Sequence, residues 1–248
     1  MSDIAFKPYV AKNRRFDDLS FPFLIVNDVG KQWYDGGENQ FMPERAICKS
    51  LIKTSDTVVD CGAHHGMMSV LFSHWTGPAG KVYSYEIVPD NIAVIRQNIE
   101  LNKLDNVTVR PYGVGDENAE ISISFQSSNA YADSNSDIKA RIVRLDDDIP
   151  TDERVDFIKI DVEGSDLRAV RGASRVLSKR PTIDLELHPF LFADRGAVTE
   201  EIFSVLSYRN WRYIVLPEIF ADTIEIDGQI DYKWLSAFDN PHIFCIPR

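Results

Sequence analysis

The stretch that decides the fold is Val58-Val59-Asp60-Cys61-Gly62-Ala63-His64-His65-Gly66. Its β-branched, apolar start predicts a buried strand over residues 57–61, and residues 67–75 place apolar side chains at helical spacing. The glycines of the intervening turn let the backbone bend sharply and approach a ligand. A strand, a glycine-bearing turn and a helix begin a βαβ unit, so the stretch predicts an α/β fold with a ligand site after its first strand.

The alternation of strand and helix continues along the chain. Further strands are predicted over residues 81–87, 107–112, 157–161, 182–187, 213–216 and 243–246. Helix-period segments separate several of them, and Thr199 is positioned to cap one. This rhythm predicts a doubly wound, mostly parallel sheet. We expect one such domain over residues 43–248, with residues 1–42 forming an N-terminal arm packed on the core.

Two segments interrupt the rhythm. Alternating runs at residues 120–125 and 141–145 predict an inserted hairpin, and the polar link at residues 127–136 predicts a mobile loop. Farther on, Asp227-Gly228 lies inside the alternating residues 223–232 and predicts a tight hairpin.

Composition excludes several classes of protein. The chain has 248 residues, and 27 Lys and Arg against 38 Asp and Glu give a formal charge of -11, which repels nucleic acid and anionic lipid. No apolar run approaches the roughly 20 residues of a membrane helix, and no secretory leader pattern is visible, so a cytoplasmic location is expected. The three cysteines are too widely spaced to predict a disulfide framework or a zinc site. The oligomeric state stays open.

An adenosine site is indicated by Gly62 and Glu86, which is 24 positions later (86 minus 62) at the end of the second predicted strand. A carboxylate there can accept both hydroxyls of a ribose, and Asp60 would hold an ammonium group at the other end of the ligand. NAD uses the same scaffold, but Ala63 and His64 would crowd its pyrophosphate. S-adenosylmethionine has no phosphate and fits better. An NAD-dependent oxidoreductase and a catalytically idle binding module remain as alternatives.

A second motif is Lys159-Ile160-Asp161-Val162-Glu163-Gly164, in which Asp161 ends a predicted strand. Other motifs accompany it: the turn at residues 60–66, Glu86 with Pro89, Asp116 after Gly113-Val114-Gly115, and Arg144-Leu145-Asp146. With these motifs, about residues 44–190 resemble the FkbM family of S-adenosylmethionine-dependent methyltransferases. His64 departs from the family, where asparagine is usual, as does Cys61, where a small aliphatic residue is usual.

The resemblance implies a Rossmann-like, seven-stranded methyltransferase sheet whose last strand is antiparallel. It implies methyl transfer to a hydroxyl of a sugar, a glycolipid or polysaccharide, or a secondary metabolite. The partner is therefore expected to be a small-molecule or glycan acceptor and not a nucleic acid. The residues expected to contact the cofactor are Asp60, Gly62, Ala63, His64, Gly66, Glu86, Gly113, Val114 and Asp161.

A third motif is Asp184-Leu185-Glu186-Leu187-His188-Pro189. The period of two in a strand sends Glu186 and His188 to one face, and His188 falls near the expected position of Asp161 and Glu163. We expect Asp161, Glu163 and His188 to form the catalytic cluster, with a neutral His188 assisted by a carboxylate to remove the acceptor proton. A divalent cation at the same cluster is left open, and no residue is assigned as a metal ligand.

Overall fold

The computed structural model describes residues 6–35, 42–126, 129–218 and 221–248, except the side chains of residues 126 and 129–132. The strands are β1 (Tyr9–Phe16), β2 (Leu19–Ile25), β3 (Thr57–Cys61), β4 (Lys81–Tyr85), β5 (Val107–Arg110), β6 (Gly113–Val114), β7 (Ala119–Gln126), β8 (Asn129–Ala132), β9 (Lys139–Val143), β10 (Phe157–Ile160), β11 (Thr182–Glu186), β12 (Trp211–Leu216), β13 (Ile224–Ile226) and β14 (His242–Pro247). The helices are α1 (Asp28–Tyr34), α2 (Pro43–Leu51), α3 (Met67–Thr76), α4 (Pro89–Leu101), α5 (Leu145–Asp148), α6 (Asp166–Arg171), α7 (Ser174–Ser178), α8 (Arg195–Val205) and α9 (Tyr232–Leu235).

The central sheet has the spatial order β13-β12-β14-β11-β10-β3-β4-β5. Its neighbours from β11 to β5 are parallel, whereas β14 runs antiparallel to both β11 and β12. The predicted α/β class is therefore confirmed, including the antiparallel last strand. Because the carboxyl ends of parallel strands meet at one edge, residues following β3, β4, β10 and β11 are brought together there.

Both faces of this sheet are covered. Val58 and Phe157 belong to one buried apolar cluster, while the next residues along their strands, Val59 and Ile158, belong to another. Successive side chains of a strand point to opposite faces, so the two clusters lie on opposite sides of the sheet. In the described ranges, no helix combines the length and the apolar character needed to cross a bilayer.

The sheet has one more strand than the seven predicted. Residues 223–232 were expected to form a hairpin about Asp227-Gly228, but that prediction is wrong. β13 instead pairs with β12, Tyr213 lying opposite Ile226, and the chain continues into α9. The outer edge of β12 supplies the hydrogen-bond partners that a second hairpin strand would have supplied.

The inserted segment contains the predicted pair of strands, since β7 and β9 are antiparallel with Ile121 opposite Ala140. The prediction of a mobile loop over residues 127–136 is wrong for residues 129–132, which form β8 and pair with β7. The edge of β7 offers backbone groups to which even a polar segment can bond. Residues 127–128 of that link lie outside the described residues.

The prediction that Thr199 caps a helix is also wrong. α8 begins one turn earlier, where the side chain of Asp194 accepts a hydrogen bond from the amide of Ala197. Thr199 lies inside the helix, and its hydroxyl donates to the carbonyl oxygen of Arg195 at 2.7 Å. Asp194 is the stronger cap because it precedes the helix and offers a carboxylate to its first turn.

The N-terminal residues form a hairpin and a helix against α3. β1 and β2 are antiparallel, and their buried aromatic side chains pack on α3. α1 follows, with the Asn27 side chain accepting from the Gly30 amide. α2 then leads into β3 and buries Glu44, Arg45 and Cys48, so two charged side chains of this helix are buried.

Candidate active site

A cavity of about 570 Å³ opens at the carboxyl ends of the parallel strands. This volume lies in the range of small-molecule sites. Its lining includes residues from α1, α2, the turn after β3 and the ends of β4, β10 and β11. Of the site residues predicted from the sequence, all line the cavity except Gly66 and His188.

The turn after β3 is fixed mainly by its own backbone. The amides of Gly62 and Ala63 donate to the carbonyl oxygen of Tyr85 at 3.0 and 2.9 Å. Gly62 has φ +85°, and a Cβ there would lie 1.7 Å from the carbonyl oxygen of Asp161. Glycine is thus required at this position so that β3 and the segment after β10 can approach each other, a requirement separate from ligand approach.

Glu86 is bound tightly to that turn. Its Oε2 accepts from the amide of His64 at 2.7 Å, and its Oε1 accepts from the amides of Ile87 and Val88 at 2.9 and 2.8 Å. Burial raises the pKa of Glu86 to about 7, although these donors oppose the shift. The carboxylate therefore holds the two halves of the site together as well as lining the cavity.

His64 occupies a left-handed backbone position with φ 52°. Asparagine and histidine both tolerate this region better than most residues, which accounts for the departure from asparagine. Its Nδ1 lies 2.7 Å from the Tyr34 hydroxyl, and its ring stacks on His65. Burial lowers the pKa of His64 to about 3, so the ring is neutral near pH 7. The ring centroids of Trp33 and His64 are 5.1 Å apart, and Trp33 is one of the α1 residues that line the cavity.

Asp60 is almost fully buried at the end of β3. Its Oδ2 accepts from the Ser69 hydroxyl at 2.6 Å, whereas its Oδ1 is buried and has no hydrogen-bond partner. Burial raises the pKa of Asp60 to about 6. An unpartnered carboxylate oxygen beside a cavity fits a ligand that carries an ammonium group, as S-adenosylmethionine does.

The structure brings Asp161, Glu163 and His188 together as predicted from the third motif. Nε2 of His188 lies 3.7 Å from Oδ1 of Asp161 and 3.8 Å from Oε2 of Glu163. Asp166 also belongs to this cluster and was not predicted from the sequence. It is fully buried, and its Oδ2 accepts from the backbone amide of His188 at 3.2 Å. Its Oδ1 lies 3.4 Å from Nδ1 of the His188 ring. The only sequence signal was its position two residues after the second motif, at the start of α6.

The charge state of His188 differs from the neutral form expected from the sequence. Burial lowers the pKa of His188, but the carboxylates of Asp166 and Asp161 outweigh it and raise the pKa to about 9. The ring is then an imidazolium near pH 7, and both of its nitrogens carry protons. His188 is not part of the cavity lining, whereas Asp161 and Glu163 are, so its ring can orient these two carboxylates.

Lys159 is the cation of this cluster. Its Nζ lies 2.9 Å from Oδ2 of Asp161 and 3.5 Å from both Oε1 of Glu44 and Oε2 of Glu186. Although burial lowers the pKa of Lys159, the surrounding carboxylates raise it well above its ordinary value. A lysine inside the apolar strand Phe157–Ile160 was a signal of such buried pairing.

Among the described residues, two sets of side chains could each offer three ligand atoms within 4.8 Å of one another: Asp161 with Glu186 and His188, and Glu44 with Asp184 and His242. The ammonium of Lys159 already compensates carboxylates of both sets, and a divalent cation would have to displace it. The arrangement therefore gives no support to the divalent cation left open by the sequence.

Arg45 is a cavity residue that was not predicted from the sequence. It lies in the first turn of α2, is 6% exposed and lines the cavity, and its Nε has no hydrogen-bond partner. Burial lowers the pKa of Arg45, and the adjacent Glu44 opposes that shift. The guanidinium nevertheless stays charged near pH 7, since arginine has a very high ordinary pKa.

Comparison with known sequences identifies relatives of this arrangement. The model of the methyltransferase FkbM domain matches residues 60–215 of the chain. Methyltransferase 1 of Beauveria bassiana (strain ARSEF 2860) is 24% identical over 143 residues, covering 46% of this chain and 57% of that protein. The chain thus matches little more than half the length of this curated relative.

Solved structures share the fold at low sequence identity. An rRNA methylase from Streptococcus thermophilus is 11% identical with a TM-score of 0.53, covering 83% of this chain and 94% of that chain. A SAM-dependent O-methyltransferase from Thermotoga maritima is 11% identical with a TM-score of 0.51, covering 96% and 78%. At such identities the likeness establishes the fold alone.

Proposed function

The chain belongs to the FkbM methyltransferase family, and on that premise we propose that it transfers the methyl group of S-adenosylmethionine to a hydroxyl group. The acceptor we propose is a sugar, a glycolipid or polysaccharide, or a secondary metabolite. The observation that supports this most is the placement of two buried carboxylates, Asp60 and Glu86, on one cavity at the ends of adjacent strands. That spacing suits the ammonium and the ribose of one ligand.

We assign the cofactor contacts from the residues that line the cavity. Glu86 would accept from the ribose hydroxyls, Asp60 and Asp161 would face the methionine portion, and Gly113 and Val114 would pack beside the adenine. Gly62, Ala63 and His64 also line the cavity, and Gly66 directly precedes α3. An NAD pyrophosphate is disfavoured, because the His64 amide already donates to Glu86 and its ring stands in the turn.

When bound, the cofactor supplies an activated methyl group on a sulfonium sulfur. The acceptor oxygen would form a bond to that carbon as the carbon–sulfur bond breaks, and the hydroxyl proton would pass to Glu163 with S-adenosylhomocysteine as the other product. Glu163 suits this role because it lines the cavity and burial raises its pKa. We assign His188 to holding Asp161 and Glu163 in position, since a protonated ring cannot accept the proton.

A small or glycan acceptor is favoured over a nucleic acid by the formal charge of -11 and by the acids at the cavity. One of the proteins with this fold is an rRNA methylase by name, so RNA is the acceptor class to test against it. A catalytically idle module would keep the cofactor site but show no turnover.

The proposal is tested in two steps with the purified chain. Calorimetry with S-adenosylmethionine and with NAD should give binding of the first only. Methyl-labelled cofactor should then be incubated with separate pools of monosaccharides, glycans, small hydroxylated metabolites and RNA, and product masses measured. Binding of NAD instead, or methylation confined to RNA, would overturn the proposal. Cofactor binding with no methylated product in any pool would favour the idle module.

A further inference from the structure

The cavity has an apolar end and a charged end. The apolar end lies beside β6, where the side chains of Ile87 and Ile142 lie against Gly113. The charged end lies at three neighbouring strands, β10, β11 and β14, whose cavity residues are Lys159, Glu186 and His242. Because three strands separate β14 from β4, these are opposite ends of one cavity.

The cofactor, bound as proposed above, leaves part of the charged end open. Glu86 follows β4, and Glu186 ends β11 three strands away, which is about 14 Å at the usual spacing of strands. With the ribose at Glu86, the methionine portion extends across β3 to Asp60 and Asp161. The cavity at β11 and β14 is then left for the acceptor.

At the charged end, three carboxylates are more exposed than the three cations that contact them. The carboxylate side chains are 20–27% exposed and the cationic ones 1–5%: Asp161, Glu163 and Glu186 against Lys159, His188 and His242. This wall therefore offers mainly oxygen atoms that accept hydrogen bonds, and a ligand beside it must donate them. Hydroxyl groups meet that requirement.

Glu186 is incompletely satisfied by the protein itself. Nζ of Lys159 and Nε2 of His242 each lie 3.5 Å from its Oε2, farther than in an ordinary charge-assisted hydrogen bond. Burial and the nearby Asp161 raise the pKa of Glu186 to about 7, so these cations do not fully stabilise its ionised form. A ligand hydroxyl that donates to Glu186 would supply the missing hydrogen bond.

Glu44 gives a second, independent sign of a ligand at this end. It is 7% exposed, lines the cavity from α2, and its Oε1 has no hydrogen-bond partner among the described residues. Its Oε1 lies 3.5 Å from Nζ of Lys159, the same atom that contacts Glu186. A buried carboxylate oxygen without a donor is costly, and a donor from the acceptor would remove that cost.

The parallel register of β10 and β11 brings Glu186 close to the proposed base. Asp161, the residue after β10, lies beside Glu186, and carboxylate oxygens of the two lie within 4.8 Å of each other. Glu163 follows Asp161 by two residues, and the two carboxylates lie 3.8 and 3.7 Å from Nε2 of His188. An acceptor whose reacting hydroxyl meets Glu163 can therefore place a neighbouring hydroxyl at Glu186.

We propose that Glu186, together with Glu44, binds a second hydroxyl group of the acceptor, on a carbon next to the one whose hydroxyl is methylated. The acceptor is thus a vicinal diol, such as a sugar ring with two adjacent free hydroxyl groups. This inference rests on the proposed function, because the cofactor and Glu163 perform the reaction. Glu186 and Glu44 determine which acceptor is used.

The probes are the methyl glycosides of glucose, galactose, mannose and rhamnose, each compared with analogues that lack one hydroxyl group. Turnover of methyl-labelled S-adenosylmethionine is measured above pH 7, where Glu186 is ionised. For the wild-type protein, kcat/KM should fall by about tenfold to a hundredfold when the hydroxyl beside the methylated position is absent. If the methylated product comes from another class of acceptor, that acceptor and its analogue without the neighbouring hydroxyl are compared in the same way.

Glu186→Gln should lower kcat/KM for the complete acceptor by about tenfold, mainly through KM, because an amide accepts a hydrogen bond more weakly than a carboxylate. It should change kcat/KM little for the analogue, since the hydroxyl that Glu186 binds is already missing. Glu44→Gln, on a different element, is the second variant and should act in the same direction. Neither variant should change the Kd for S-adenosylhomocysteine.

Glu225→Gln is the matched control, because Glu225 is an exposed glutamate in another strand of the same sheet and is outside the cavity lining. It should keep the full wild-type difference between acceptor and analogue. A purely structural role of Glu186 would lower the Tm of Glu186→Gln and reduce turnover of acceptor and analogue alike.

Three results would overturn the inference alone. The wild-type protein uses acceptor and analogue equally well, it methylates a hydroxyl that has no hydroxyl on an adjacent carbon, or Glu186→Gln and Glu44→Gln each lower kcat/KM equally for both. If no acceptor is methylated at all, or NAD binds in place of S-adenosylmethionine, the proposed function fails together with the inference. The two kinds of failure are therefore distinguishable.

Discussion

The backbone amide of His64 donates a 2.7 Å hydrogen bond to Oε2 of Glu86. This single contact joins the turn after the first sheet strand to the end of the second. Because Glu86 also accepts from the amides of Ile87 and Val88, the carboxylate shapes the same cavity that it lines. Its loss should therefore affect both ligand binding and stability.

We expect Glu86→Ala to weaken binding of S-adenosylmethionine by about tenfold to a hundredfold, since a charged hydrogen-bond partner is removed. It should also lower the free energy of unfolding by about 1–3 kcal/mol, because three backbone amides lose their acceptor. Calorimetry and urea unfolding measure the two effects. Asp90→Ala is the control, as Asp90 is exposed in the following helix. Cofactor affinity in Glu86→Ala equal to that of the control would remove Glu86 from the binding site.

Glycine at position 62 should be required by the fold itself. Gly62→Ala places a Cβ 1.7 Å from the carbonyl oxygen of Asp161 in a backbone with φ +85°. We expect the free energy of unfolding to fall by about 3 kcal/mol or more, from overpacking and backbone strain together. Gly228→Ala is the matched control, because nothing lies within 4 Å of its added Cβ. Urea unfolding curves that coincide for the two variants would contradict the observed approach of the backbones.

The sequence predicted the sheet well because its strands carry strong local signals. The apolar runs at residues 57–61 and 182–187 need no knowledge of their neighbours to be recognised. β8 and β13 were missed because each forms on the open edge of another strand, and an edge is a property of the assembled sheet. Local pattern cannot specify where such an edge lies.

Local sequence pattern likewise predicted only part of the candidate active site. Asp60, Glu86, Asp161 and Glu163 lie at or shortly after the carboxyl ends of strands, so their convergence could be predicted. Glu44 and Arg45 could not be predicted as cavity residues, because they reach the cavity from a helix that precedes the first sheet strand. The protonation of His188 likewise depends on Asp166, whose burial only the folded chain reveals.

His188 should titrate near pH 9 in the folded protein, well above its ordinary value of 6.5. A raised pKa means that the folded state binds this proton more tightly than the unfolded state. The stability it contributes is complete below pH 6.5 and is lost as the pH rises through about 9. Histidine resonances followed by NMR should give the high pKa, and Asp166→Asn should lower it. A His188 pKa at or below 6.5 would restore the ring as a candidate base.

Lys159 should be essential to the stability of the fold. Lys159→Met leaves Asp161, Glu44 and Glu186 without their shared ammonium, and we expect the free energy of unfolding to fall by about 3–5 kcal/mol. Lys233→Met, at an exposed position in α9, is the control for loss of a lysine charge.

Activity should not depend on a metal, so turnover of the wild-type protein should survive a chelator. Activity that is lost on chelation and restored by magnesium or manganese would instead establish a metal at these carboxylates.

Glu163→Gln tests whether a carboxylate removes the acceptor proton. The amide keeps the shape of the side chain but cannot take up a proton, so turnover should fall about a hundredfold while the Kd for S-adenosylhomocysteine changes less than about twofold. Because burial raises the pKa of Glu163, wild-type turnover should rise with pH as this carboxyl ionises, and the variant should lack that rise. His188→Asn is the comparison, since it keeps the base and removes only the ring that positions it. It should lower turnover less than Glu163→Gln and retain the rise with pH. If Glu163→Gln keeps both the wild-type turnover and the same pH profile, methyl transfer depends on alignment of acceptor and cofactor without a protein base.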